Sequence, residues 1–158
     1  MAVVPVILHC SASKFGNAAL ISKWHTTPKS MGGKNEFSQI GYHYVILNGF
    51  LAANKYNAKF DGHLETGRAL GGDAFFDKDE IGAHTAGYNK SVGICLIGES
   101  GMFTPEQFSS LEMLLLDLRA QFIEIEVYQH SDLDFLNKAF CAGLRPSIMN
   151  RLKNLVNT

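Results

Sequence analysis

The stretch Val92-Gly93-Ile94-Cys95-Leu96-Ile97 is apolar on both of its alternating faces. A strand of this kind belongs in the middle of a sheet that is covered on both sides, because either face left open would set hydrocarbon against water at about 25 cal/mol per Å². Two more β-rich runs can lie near it: Val3 to His9, and Tyr42 to Leu47 after the break at Gly41. Ile123 to Gln129 alternates instead, with Ile123, Ile125 and Val127 on one face and Glu124 and Glu126 on the other, which predicts a half-exposed strand. Between Asn48 and Gly82 the chain is glycine-rich and reads as irregular, apart from a short strand over 64–68.

Helical spacing separates these runs. Thr104-Pro105-Glu106-Gln107 carries an N-cap threonine, a proline at the first helical position and the glutamine of a capping box. Phe108, Leu111, Leu115, Leu118 and Phe122 then recur on one face. A shorter helix is expected over 18–25, burying Leu20, Ile21 and Trp24. A last one begins near Pro146, with Ile148, Met149, Leu152 and Leu155 on its stripe. The expectation is an α/β fold, a central mixed β-sheet flanked by helices. With no repeat and no linker-like tract, residues 1–158 read as a single domain, long enough to bury its own core.

Apolar residues make up 46% of the chain and charged ones 18%, which excludes a disordered protein. The formal charge is −1 and no basic block stands out, so neither nucleic acid nor a polybasic membrane surface is an expected partner. The start, Met1 to His9, is apolar but lacks a basic leader and contains Pro5; it reads as a strand rather than a signal peptide. No stretch is long and apolar enough to span a bilayer, and the expected location is the cytoplasm in which the chain is made. The three cysteines are an odd count, which argues against a disulfide framework. Cys95 lies in an apolar run and reads as a buried thiol.

His9 and His130 each end a predicted strand, and Cys141 follows His130 by eleven residues across a polar stretch. Two imidazoles and a thiolate form a sound zinc set that leaves a fourth position open for water, as catalytic sites do. A Cys141–His130 nucleophilic pair is the competing chemistry, and it needs an orienting group and an oxyanion hole besides. Spacing alone leaves both open.

A series of segments narrows the choice. His9-Cys10-Ser11-Ala12-Ser13, Trp24-His25, Gly41-Tyr42-His43-Tyr44-Val45-Ile46, Gly82-Ala83-His84-Thr85-Ala86-Gly87-Tyr88-Asn89 and Ser91-Val92-Gly93-Ile94-Cys95-Leu96-Ile97-Gly98 occur in that order. Thr104-Pro105-Glu106-Gln107 and then His130 and Cys141 follow them. The series resembles the type-2 N-acetylmuramoyl-L-alanine amidase family, most closely its short single-domain phage members. The family also contains the peptidoglycan recognition proteins. The likeness runs from His9 to about Leu144. It implies that His9, His130 and Cys141 bind Zn2+, that Tyr42 is a catalytic residue positioning the water or the polarised carbonyl, and that His84 lines the substrate cleft. It implies a catalytic role for Lys138 too, as an oxyanion donor.

The sequence departs from the family at three places. Lys138 stands three residues before Cys141 where the phage enzymes have two, Ala142-Gly143 replaces the usual proline, and the stretch 51–63 is longer than in the shortest relatives. The implied function is hydrolysis of the lactyl–L-alanine amide bond of bacterial peptidoglycan by a phage or prophage endolysin. Such an enzyme would be held in the host cytoplasm until a pore or lysis releases it to the wall, acting as a monomer. The alternative is a recognition domain that binds peptidoglycan without cutting it, but non-hydrolytic members typically lack the cysteine that Cys141 provides. A polymerase partner follows from family analogy alone.

Overall fold

In a computed structural model, which describes residues 3–34, 37–85, 87–134 and 141–157, five strands form one mixed sheet. They are β1 (Val4–Cys10), β2 (Tyr44–Ala52), β3 (Lys55–Thr66), β4 (Val92–Leu96) and β5 (Ile125–Gln129), in the spatial order β3-β2-β4-β1-β5. β1 lies parallel to both β4 and β5, and β2 parallel to β4, while β3 returns antiparallel along the outer edge of β2. The doubly apolar run is the central strand β4, buried at every position from Val92 to Leu96.

The side-chain period of two divides the hydrocarbon between two faces. Val4, Val6 and Leu8 of β1 and Val92, Ile94 and Leu96 of β4 join a core with α2 (Pro105–Phe122) and α4 (Pro146–Val156). The other face holds a smaller cluster of Ile40, Val45, Leu47, Cys95 and Ile97, closed by Ile21 of α1 (Ala18–Thr26). The capping box of α2 is present as expected: Thr104 Oγ1 accepts from the Gln107 N–H at 3.1 Å, and Gln107 Oε1 from the Thr104 N–H at 2.9 Å. Gln107 is fully buried, and its amide donates to the carbonyls of Ile46 and Ile97 at 3.0 and 2.8 Å. That one side chain satisfies its own polarity and pins the start of α2 to β2 and to the residue that follows β4.

Several expectations need correction. Residues 55–66 form a twelve-residue strand, not an irregular stretch with a strand at 64–68. β3 is an edge strand with most positions exposed, so it carries no hydrophobic alternation to read. The longer stretch 51–63 is the tip of this β2–β3 hairpin together with most of its outer strand; the turn passes through Asn54 at φ 58°. Ile123 is the C-cap of α2, 54% exposed, rather than a strand residue. Trp24 is 39% exposed, because α1 buries only Ile21 fully. His130 does not end β5; it opens a one-turn helix, α3 (His130–Leu133), capped by Gln129 and Asp132.

Candidate metal centre

Parallel strands of an α/β sheet collect functional groups at their carboxyl ends. Here β1 ends on His9 and Cys10, and β5 hands over to α3 at His130. On β1, Val6 and Leu8 point to the α2/α4 core, so the alternation turns His9 to the opposite face. His9 and His130 are buried, 1% and 6% exposed, and Cys141 is half-buried. One ligand atom from each lies within 4.8 Å of the others.

The geometry inside this group is directional. His9 Nδ1 and His130 Nδ1 face each other at 3.0 Å. The backbone N–H of Cys10 donates to Cys141 Sγ at 3.3 Å, and the Cys10 thiol lies 3.7 Å from it. The Cys10 thiol and then burial push the Cys141 thiol above its ordinary range, whereas a bound cation favours the thiolate. Two imidazoles and a sulfur on a largely buried floor suit a borderline-soft ion such as zinc better than calcium or magnesium, which select oxygen. The residues present therefore fit the metal that the family resemblance implies.

Around this floor opens a cavity of about 480 Å³, lined by Cys10, Tyr42, His84, His130, Asp134 and Cys141 among others. The Tyr42 ring lies 5.0 Å from that of His9. Burial, then the neighbouring cysteines Cys95, Cys141 and Cys10, raise its pKa well above the usual phenol value, so it stays a hydrogen-bond donor. His84 meets the other ring nitrogen of His9, its Nδ1 2.9 Å from His9 Nε2. Burial first of all lowers the His84 pKa to about 3, leaving the imidazole neutral. Lys138 lies outside the described residues.

The structure thus brings His9, His130, Cys141, Tyr42 and His84 to one place. It adds two groups that sequence reasoning passes over, Cys10 and Asp134, and shows Asn89 in the turn-building role that its residue type suggests. Cys10 acts through its backbone N–H. The side-chain oxygen of Asn89 accepts from the His84 and Thr85 N–H groups at 3.2 and 2.9 Å and braces their loop. Asp134 stands on the cavity wall in a polar stretch that offered no signal of its own. His43 is spoken for by the fold: its Nδ1 accepts from the Gly93 N–H at 3.0 Å and its Nε2 donates to the Glu80 carbonyl at 2.5 Å.

No protein-family model matches the chain. It is similar to the endolysin of Klebsiella phage KP32, 31% identical over an alignment of 138 residues that covers 80% of this chain and 74% of that protein. Among solved structures it resembles the N-acetylmuramoyl-L-alanine amidase LysC from Clostridium intestinale, with a TM-score of 0.67 at 21% identity, covering 99% of this chain and 86% of the other. A human peptidoglycan recognition protein in complex with glycosamyl muramyl pentapeptide aligns with a TM-score of 0.57 at 16% identity, over 84% of this chain and 74% of its own. At such identities the two structures speak for the fold alone.

Proposed function

Because the chain belongs to the type-2 N-acetylmuramoyl-L-alanine amidase family, alongside the endolysins of phages, we propose that it hydrolyses the lactyl–L-alanine amide bond of bacterial peptidoglycan. The observation that carries the reading is the convergence of His9, His130 and Cys141 within 4.8 Å, with His130 and Cys141 lining a cavity that leaves room for substrate. These three residues would hold the metal, which we take to be zinc. When bound, zinc supplies Lewis acidity toward the scissile carbonyl and toward water.

The remaining work falls to the chain itself. Tyr42 keeps its proton and can donate it in a hydrogen bond to the oxygen on which negative charge develops, where a preorganised donor counts most. Lys138 is proposed as a second donor to the same oxygen. Its ammonium would be the stronger partner, because charge-assisted bonds exceed neutral ones. The Cys10 N–H stabilises negative charge on Cys141 and fixes the direction of its sulfur. A cavity of about 480 Å³ has the size to take a sugar–peptide junction.

No helix among the described residues is long and apolar enough to cross a membrane. We place the protein in the bacterial cytoplasm, reaching the wall when a pore or lysis opens the way. The test is digestion of purified wall by zinc-loaded protein, with and without a chelator, followed by mass spectrometry of the released ends. Free L-alanine amino termini that vanish with chelator and return with zinc are expected. Wall that is bound but uncut by a verified zinc-loaded sample would replace the hydrolase with a recognition module.

A further inference from the structure

The hydrogen bonds of His84 can be assigned a direction from one end. Its Nε2 lies 3.2 Å from the Ser91 carbonyl oxygen, which can only accept. The Ser91 hydroxyl, 3.3 Å from the same nitrogen, already donates to the Tyr88 carbonyl and so can only accept as well. The proton of His84 therefore sits on Nε2, and Nδ1 carries a lone pair. That lone pair faces His9 Nε2 at 2.9 Å, which makes His9 Nε2 the donor. In the neutral ring this puts the lone pair of His9 on Nδ1, the atom that faces His130 Nδ1 at 3.0 Å. The polarity runs in one sense from a backbone carbonyl to a ligand lone pair.

The seat of His84 is shaped for this. A Cβ on Gly93 would lie 2.9 Å from two atoms of the His84 ring, so the ring rests against a strand position that has room only for hydrogen. Both ring nitrogens are engaged within the protein, which leaves the ring's carbon edge as its contribution to the cavity wall.

We propose that His84 is a positioning residue for the metal centre: by accepting the Nε2–H of His9, it fixes the tautomer in which His9 presents its Nδ1 lone pair to the metal. Supporting groups behind a metal-bound histidine act in this way, and their loss typically costs 10–100-fold in affinity. The inference rests on His9 being a metal ligand. Thr85 Oγ1 lies 3.1 Å from His84 Nδ1 and 3.4 Å from His9 Nε2, so it is a substitute acceptor for His9 that is poorly placed for the task.

Two measurements on the full chain test this. Imidazole 15N shifts of the metal-free protein report the tautomer of His9 directly, and competition with a chromophoric chelator reports zinc affinity. The wild type should show His9 protonated on Nε2. His84→Leu, which removes the acceptor, should mix the His9 tautomers and weaken zinc binding about 10- to 100-fold. His84→Asn sets an amide oxygen near the place of Nδ1 and should recover affinity to within a few-fold. A merely structural role would not order the two variants this way at equal melting temperature. Wild-type His9 protonated on Nδ1 would overturn the inference even if neither variant folds. Equal zinc affinity in the wild type and His84→Leu would overturn it while leaving the metal reading intact. A wild type that binds no zinc would overturn the metal reading, and this inference with it.

Discussion

Toward α2 and α4, β1 sends Val4, Val6 and Leu8 and β4 sends Val92, Ile94 and Leu96; toward the other face the same strands send Ile7 and His9, Gly93 and Cys95. The first set meets Leu111, Leu115, Leu118, Met149 and Leu152 in one continuous hydrocarbon core. The second meets a small cluster and then a row of buried imidazoles, His9, His43, His84 and His130, each held by directional bonds. Hydrocarbon burial is non-directional and tolerates repacking, so it can carry stability. Buried imidazoles must be satisfied one bond at a time, so they specify geometry while adding little net stability. One sheet thus separates the two tasks by the parity of its residues.

The largest effect expected on the chemical face comes from Cys141→Ala. Zinc uptake and wall hydrolysis should fall together by more than about 100-fold, beyond the range of a supporting residue. The melting temperature of the metal-free protein should move little, since Cys141 is half-buried at the cavity wall. Retained activity would sink both the metal assignment and the thiol-nucleophile alternative. Leu115→Ala makes the opposite cut. Leu115 is fully buried against the sheet, and its truncation should cost about 2–5 kcal/mol in urea unfolding. Zinc affinity of the folded fraction should stay at the wild-type value. A Leu115→Ala protein with weakened zinc binding would show that the two faces are coupled through β1 and β4.

The hydrocarbon face was legible in the sequence because its signals are periodic. The run at Val92–Ile97, the capping box at Thr104 and the spacing of Leu111, Leu115 and Leu118 each state a burial pattern that no other element satisfies as well. Only the end of β3, from Leu64, reads as strand in the sequence, because an exposed edge strand has no apolar face to alternate. α3 escaped notice because a single turn, four residues long, is too short to show a period, so His130 looked like a strand end. On the chemical face, residue types suggested His9, His130 and Cys141 without separating a metal site from a nucleophilic pair; the ordered segments decided between them. The relay through His84 was beyond reach, because its anchor is the Ser91 carbonyl, a backbone group whose direction only the fold supplies.

Gly93→Ala is the smallest change and the one that tests where the two faces meet. Gly93 sits on β4 opposite Ile7, between Val92 and Ile94 of the hydrocarbon core, yet it faces the histidines. Its φ is not positive, so the glycine is required by space rather than by backbone conformation. The added methyl would lie 2.9 Å from Cγ and Cδ2 of His84, in the middle of a ring rather than at the loose end of a side chain. That ring is tied to Ser91 on one side and His9 on the other, so relief must come from moving His84 off its bonds or from spreading β4 away from it. Overpacking of this kind should lower stability by about 1–3 kcal/mol. If the ring yields, zinc affinity falls as it does in His84→Leu; if the strand yields, the melting temperature falls and zinc affinity holds. Measuring both on the one variant shows which side of the sheet is the stiffer. Loss in both together would make the seat of His84 part of the metal centre, although its neighbours along the strand belong to the core.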